Sequence, residues 1–264
     1  MNLVSGNMVA AQRDILGLPV CELGWADALA FAEKAATLPF GQTVIAFIDA
    51  GNARLMARDP EYRAVLERQV VLPDGHGIDI ASVLLHGQRF PADLNGADFV
   101  PALLTHIAKP MRVALIGARP ETLALATETF RRHAPWHTFL PVSDGFFDRV
   151  QSDAVMERVR AAEADILLVA MGSPAQEKWI DRHVGPGHAR LVLSVGALFD
   201  IAADRMRPAP AGAERLGRLL RRTKRLWQRH GLVSPLFLYR VLRYRLTDME
   251  ARRYADETAK AGAP

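Results

Sequence analysis

Two spacings of apolar residues alternate along this chain. Short runs that are apolar almost throughout, Thr43 to Ile48, Arg112 to Ile116, Ile166 to Met171 and Arg190 to Val195, have the length of strands buried on both faces. Val70 to Leu72 and Thr138 to Val142 add two shorter strands. Between these runs the apolar positions take helical spacing: Trp25 to Leu38, Asp59 to Gln69, Ile78 to Leu85, Phe99 to Ala108, Glu121 to His133, residues 153–163, and the segment after Pro174. Pro39 and Gly41 end the first helix, Asp59 caps the second with Pro60 beside it, and Asp98 stands where a cap for the helix from Phe99 belongs. Ser173 reads as an N-cap and Pro174 as the first residue of the helix that follows. Strands alternating with helices predict an α/β fold, a doubly wound and mostly parallel sheet of the Rossmann-like kind.

The pattern changes after Asp204. Arg207-Pro-Ala-Pro-Ala-Gly212 reads as a linker. Glu214 to His230 is a basic helix candidate, and Leu232 to Leu246 is rich in Leu, Phe, Tyr and Val, with Arg240, Arg243 and Arg245 toward its end. Three parts follow: an α/β body over 1–204, a basic amphipathic appendage over 205–246, and a polar tail over 247–264.

Charge sharpens that division. Residues 1–204 hold 18 Lys/Arg against 24 Asp/Glu, whereas residues 205–245 hold 12 Lys/Arg against the single acid Glu214. A mildly acidic body with a strongly basic end points to an anionic partner. A terminal helix pair packed on the body with a solvated basic face is the plainer account of the same residues. The aromatic and apolar positions from Leu236 to Tyr239, with Val241 and Leu242, suit a lipid surface better than a nucleic-acid backbone. We therefore expect an anionic membrane surface as partner through residues 205–246, and no nucleic acid. Met1 to Asp14 lacks the basic-then-apolar order of a signal peptide, and no apolar run approaches the ~18 residues that span a bilayer. The single cysteine, Cys21, excludes an intramolecular disulfide and suits a reducing compartment. A cytoplasmic location, peripheral on the inner face of the cell membrane, is expected.

Candidate chemistry falls just after the strands, where a doubly wound sheet gathers its ligand. The clusters are Asp49 to Asn52, Asp74 to Asp79, Asp144 to Phe147 and Gly172 to Glu177, with Gly117 and Phe199-Asp200 in equivalent places. Asp74, between Pro73 and Gly75, is either a general base held on a tight loop or a turn-forming residue, and Asp144-Gly145 shares that ambiguity. The sequence holds no His-Glu-x-x-His, no Asp-x-Asp pair, no three-glycine dinucleotide fingerprint and no Gly-x-Ser-x-Gly elbow. No metal and no cofactor is expected. Helix N-termini after Gly117 and Gly172 could bind phosphate through backbone N–H groups.

Five motifs in order carry a family resemblance: Leu72-Pro-Asp-Gly-His-Gly77, Asn95-Gly-Ala-Asp98, Asp144-Gly-Phe-Phe147, Met171-Gly-Ser-Pro-Ala-Gln-Glu-Lys-Trp179 and Val195-Gly-Ala-Leu-Phe-Asp200. From about Thr43 to about Arg245 the chain resembles the WecG/TagA/CpsF glycosyltransferases, with Phe47-Ile-Asp-Ala50 and Asn95-Gly-Ala-Asp98 closer to its GumM-like branch. The resemblance implies a metal-independent, inverting transfer of a sugar from a UDP-sugar to a polyprenyl-diphosphate-linked acceptor. It implies Asp74 as general base, Gln176 near the donor sugar, and Asp200 in the motif lining the nucleotide pocket. Asp49, Asn52, Asn95, Asp98, Gly117, Asp144, Gly172 and Glu177 complete the expected substrate-binding set, with Arg207 and Arg218 facing the leaving diphosphate. Four features depart from the pattern, one of them Ala92, which stands where many members carry Arg before the Gly-x-Asp motif. Asp49 stands where the family usually has Asn. The Gly-x-x-x-Arg-Ala-Pro motif appears as Asp204-Arg-Met-Arg-Pro-Ala-Pro210, and Glu-Trp-x-Tyr-Arg as Glu214-Arg-Leu-Gly-Arg218. A non-catalytic relative acting as a membrane-associated assembly subunit is the alternative that these departures leave open.

Overall fold

The computed structural model describes residues 11–206 and 235–247. Arg207, Arg218, the helix candidate Glu214 to His230 and most of the polar tail lie outside the described residues. The chain opens with a hairpin that the pattern of apolar residues had not announced, β1 (Gln12–Ile15) and β2 (Leu18–Cys21). Its two turn residues, Leu16 and Gly17, both take positive φ, as a tight hairpin turn requires. Among the described residues a second sheet is built from β3 (Thr43–Ile48), β4 (Val70–Pro73), β5 (Arg112–Gly117), β6 (Thr138–Ser143), β7 (Ile166–Ala170) and β8 (Leu191–Ser194). These pair in the order β4-β3-β8-β7-β5-β6, every neighbour parallel.

Alternation along each strand divides the core between two faces. Ile166 and Leu168 of β7 join Ile45, Phe47, Val113, Leu115 and Leu193 on one face, while Leu167 and Val169 join Ala114, Ile116 and Val192 on the other. The first face is covered by α1 (Trp25–Thr37), α5 (Gly96–His106), α6 (Pro120–His133) and α9 (Leu198–Met206), through Ala28, Phe99, Phe130 and Phe199. The second is covered in two patches. Toward the β4 edge lie the hairpin, α2 (Ala50–Met56), α3 (Pro60–Leu66) and α4 (His76–His86); toward the middle lie α7 (Ser152–Ala161) and α8 (Ala175–His183). In β3, β5, β7 and β8 both faces are largely dry, so these strands read as near-continuous apolar runs, which is why they were legible.

A last helix, α10 over residues 235–247, packs on the β4-edge patch. Phe237 and Val241 are fully buried there beside Ile15, Leu18, Met56 and Tyr62. Tyr244 donates its hydroxyl to Asp14 at 3.0 Å, and Arg240 donates to the Arg54 carbonyl. Leu236, Tyr239, Leu242 and Leu246 remain exposed on its outer side, with Arg243 and Arg245.

Several expected boundaries move. Helix α5 starts at Gly96 with Asn95 as its cap, so Asp98 sits inside the first turn. Its pattern is Asn-x-x-Asp, and the side chain that reaches the free N–H groups is the one three residues earlier. Helix α8 begins at Ala175 with Pro174 in the capping position after a cis Ser173–Pro174 bond, so Ser173 is not its cap. The Ser173 hydroxyl donates instead to Glu177 at 2.7 Å. The expected body boundary at residue 204 falls within α9, which runs to Met206.

Candidate active site at the strand ends

A parallel sheet brings the carboxyl ends of its strands to one edge, and along the middle of that edge the chain leaves neighbouring strands toward opposite faces. From β5 it passes through α6 on the first face to β6, and from the neighbouring β7 through α8 on the second face to β8. Helices diverging from adjacent strands open a crevice between them. In sheet order the residues at the strand ends are Asp74, Asp49, Gly196, Gly172, Gly117 and Asp144. With strands about 4.8 Å apart, the five intervals from β4 to β6 span about 24 Å. The edge suits an extended ligand; Asp74 and Asp144 are too far apart to grip one sugar.

At the β4 end, Asp74 extends the ladder by one residue, its N–H donating to the Ile48 carbonyl at 2.9 Å. Gly75 then turns the chain at φ 82° into α4. Both flanks of the half-buried Asp74 are pinned to the next loop: Gly75 N–H donates to Asp93 Oδ1 at 2.8 Å, and Leu94 N–H to the Pro73 carbonyl at 3.0 Å. Asp93 was not in the expected set. A Cβ on Gly77 would lie 2.7 Å from that of Ala50, so the starts of α4 and α2 touch and the clusters after β3 and β4 form one end of the crevice.

Neighbouring polar residues are largely engaged with their own helices. Asp49 caps α2, Oδ1 accepting from Asn52 N–H at 2.6 Å, and Asn52 Nδ2 donates to the Phe47 carbonyl at 3.3 Å. Asn95 and Asp98 close a reciprocal cap: Asp98 N–H donates to Asn95 Oδ1 at 3.1 Å, and Asn95 Nδ2 to Asp98 Oδ2 at 3.0 Å. Asp79 Oδ1 accepts from Phe90 N–H at 3.2 Å. Asp200 is exposed in the first turn of α9, beyond the end of β8.

The middle of the crevice is floored by Gln176 and Glu177, 2% and 1% exposed. Gln176 Oε1 accepts from the N–H groups of Met171, Gly172 and Gly196 at 3.1–3.2 Å, while Nε2 donates to Glu177 Oε1 at 2.8 Å. Gly172 N–H, just ahead of the helix N-terminus expected to bind phosphate, is therefore taken up inside the protein. Burial pushes the Glu177 carboxyl above its ordinary range. The Tyr62 hydroxyl is raised too, first by burial and then by the charge of Glu177. Tyr62 approaches Ser173, and Ser194 approaches Glu177, but neither Tyr62 Oη nor Glu177 Oε2 closes a hydrogen bond among the described residues. Around them α3 and α8 are laced by Lys178 to Asp59 and Glu61, and by Arg182 to Glu61. The Lys178 ammonium leads in holding both acids below the ordinary carboxylate range.

At the far end Gly117 lies directly on β7: a Cβ there would stand 2.2 Å from the Ala170 carbonyl oxygen. Ala118 N–H donates to that oxygen at 2.9 Å, and Gly145 N–H to the Ala118 carbonyl at 2.8 Å. Asp144 takes the turn-forming role, its Oδ1 accepting from Phe146 N–H at 2.7 Å. Two cations that the sequence reading passed over stand here, Arg119 over the Phe146 ring at 5.8 Å and Arg149 over Phe147 at 4.6 Å. Arg119, directly after Gly117-Ala118 at a strand end, carried a signal that could have found it. Among the described residues no three His, Cys, Asp or Glu side chains gather as a metal site requires.

Comparison of the whole chain with protein families finds a match to the Glycosyl transferase WecG/TagA/CpsF family over residues 13–251. The matched span takes in the hairpin from Arg13, every strand of the main sheet, and α10.

Proposed function

This chain belongs to the WecG/TagA/CpsF family of glycosyltransferases, and on that premise we propose that it moves a sugar from a UDP-sugar to a polyprenyl-diphosphate-linked acceptor, with inversion and without a metal. The observation that carries the reading is the setting of Asp74. It is a half-buried carboxylate at a strand end, turned by a glycine and anchored on both sides to the Asp93-Leu94 loop. A base held this way can take the proton of an acceptor hydroxyl as that oxygen attacks the anomeric carbon opposite the diphosphate. The donor then lies along the strand ends, its sugar toward Asp49 and Asp74 and its nucleotide toward the glycine-lined middle. Charge on the leaving diphosphate requires fixed donors. Arg207 and Arg218 are our candidates, and Arg119 and Arg149 add positive charge at the β5–β6 end.

The acceptor's lipid is membrane-bound, and the outer side of α10 is suited to meet it. Leu236, Tyr239, Leu242 and Leu246 would enter the interface while Arg243 and Arg245 face anionic headgroups. No helix among the described residues is long and apolar enough to cross a membrane. The protein would thus act on the inner face of the cell membrane, in surface or exopolysaccharide synthesis. The decisive experiment is a screen of UDP-sugars against a short-chain polyprenyl-diphosphate-linked acceptor, with the anomeric configuration of the product read by NMR. A retained configuration would remove the single-displacement mechanism. No transfer from any UDP-sugar would favour the assembly-subunit alternative.

A further inference from the structure

We propose that Glu177 is a positioning residue for the transfer: it orients the Gln176 amide so that one carboxamide oxygen clasps the β7–α8 and β8–α9 loops across the middle of the crevice. The inference rests on the crevice being the substrate seat, and it gives Glu177 a task other than touching substrate. Gln176 Oε1 receives Met171 and Gly172 N–H from one loop and Gly196 N–H from the other, twenty residues on. Three donors on one oxygen leave it no room for a ligand.

A primary amide has no strong preference between its two flips, so the hydrogen bonds around it decide which way it points. Reversed, Gln176 would aim its NH2 at three backbone N–H groups. The three backbone donors favour the working flip from one side, and Glu177 Oε1 fastens it from the other, accepting from Gln176 Nε2 at 2.8 Å and from the Ser173 hydroxyl at 2.7 Å. Both side chains are buried, where a lost partner is not replaced by water. Glu177 is itself held by position: it opens the α8 face packed on Tyr62, and Lys178 and Arg182 tie the same helix to Asp59 and Glu61 of α3. On the solvent side of the clasp, a Cβ on Gly172 or Gly196 would meet nothing within 4 Å. The clasp thus fixes the separation of two bare backbone segments that line the crevice.

The test compares full-length Glu177→Leu, which removes the acceptor, with Glu177→Gln, which keeps an oxygen in its place. Amide hydrogen exchange reads the clasp without any substrate. In Glu177→Leu the Gly172 and Gly196 amides should exchange at least about tenfold faster while β7 and β8 amides stay protected, and Glu177→Gln should restore most of the protection. Turnover should follow, kcat falling about 10²-fold in the Leu variant, the scale of a misplacement of about 1 Å, with recovery in Gln. Should Glu177→Leu fail to fold, Gln176→Met, close in volume, carries the same exchange readout. Unchanged exchange at both glycines in a folded variant overturns the clasp. Loss of protection in a protein whose wild type transfers no sugar would uphold the clasp and overturn the transferase reading instead.

Discussion

Replacing Asp74 by Asn keeps the shape of the side chain and removes its ability to take a proton. With the loop anchored through Gly75 and Leu94, the fold and UDP binding should survive while kcat drops about 10²–10⁴-fold, the usual contribution of a general base. A thermal melt and a UDP titration beside the rate check this, and near wild-type turnover would remove Asp74 from the role. Chelation tests the same chemistry from another side. Without an Asp-x-Asp pair to hold a hard cation on a diphosphate, activity should persist in EDTA; abolition by EDTA and return with magnesium would refute it. Glu177 gives a prediction in pH. Its folded-state pKa lies above the unfolded value, so its contribution to stability is complete below the ordinary carboxylate value and is lost as pH rises through the folded one. Glu177→Gln cannot ionise, so its melting temperature should gain on wild type as pH rises above the ordinary carboxylate range. Asp59 and Glu61 work in the opposite sense, losing stability as pH falls, but they are common to both proteins and cancel in the difference. A pH-independent difference would mean that Glu177 carries no such burden. The places of Asp74 and Gln176 beyond strand ends could be read from the sequence because each sits in a local signal, Pro-Asp-Gly or a strand-to-helix turn. Asp93 and Tyr62 could not: their meaning lies in Gly75, eighteen residues away, and in a helix packed from another part of the chain.

Two glycines on the crevice edge separate close approach from backbone conformation. Gly117→Ala would drive a methyl into the Ala170 carbonyl, backbone that cannot step aside, at φ 134°. Overpacking of that kind destabilises by about 2 kcal/mol or more. For a chain of this size that is a drop of roughly 5 °C or more in melting temperature. Gly172→Ala meets open space and carries only the strain of its φ of 80°, about 1 kcal/mol. Equal melts for the two variants would show that β5 and β7 do not meet as closely as described. At this scale the inner strands of the main sheet were legible because both faces are dry, and helix starts were less so. Asn95 and Asp98 both have the chemistry of a cap, and only the geometry selects the first. Helix α2 is seven residues long and includes Gly51, too short for a period to show. The turn of the hairpin puts Leu16 at positive φ, against the preference of its residue type, so no turn signal marked it.

Seen whole, the charge division of the chain was plain in the sequence, but the two-sidedness of its basic end was not. Along α10 apolar residues occupy both sides, and spacing alone does not say which turns inward. Phe237 and Val241 do, so cutting away residues 205–246 would bare part of the apolar patch they share with Ile15, Leu18, Met56 and Tyr62 instead of leaving a clean body. The proposed membrane role is better tested on the outer side. Tyr239→Ser with Leu246→Ser should keep the melting temperature within about 2 °C and weaken binding to anionic vesicles about tenfold or more. Arg243→Ala and Arg245→Ala should each remove roughly 1 kcal/mol of binding at low salt and less at high salt. Undiminished co-sedimentation in all of these would move the contact to another surface. The meeting of Tyr244 with Asp14, 230 residues apart, also bears on how the molecule is made. Closing so long a loop is a slight thermodynamic burden, since each doubling of its length adds only about 0.6 kcal/mol. In time it matters more. Synthesis delivers the hairpin, the sheet and their helices before α10, so the part of the patch that Phe237 and Val241 cover stays bare until the chain beyond residue 235 is made. A nascent chain arrested before residue 235 should therefore hold a sticky site on that patch, and chaperone capture should cease once α10 has left the ribosome.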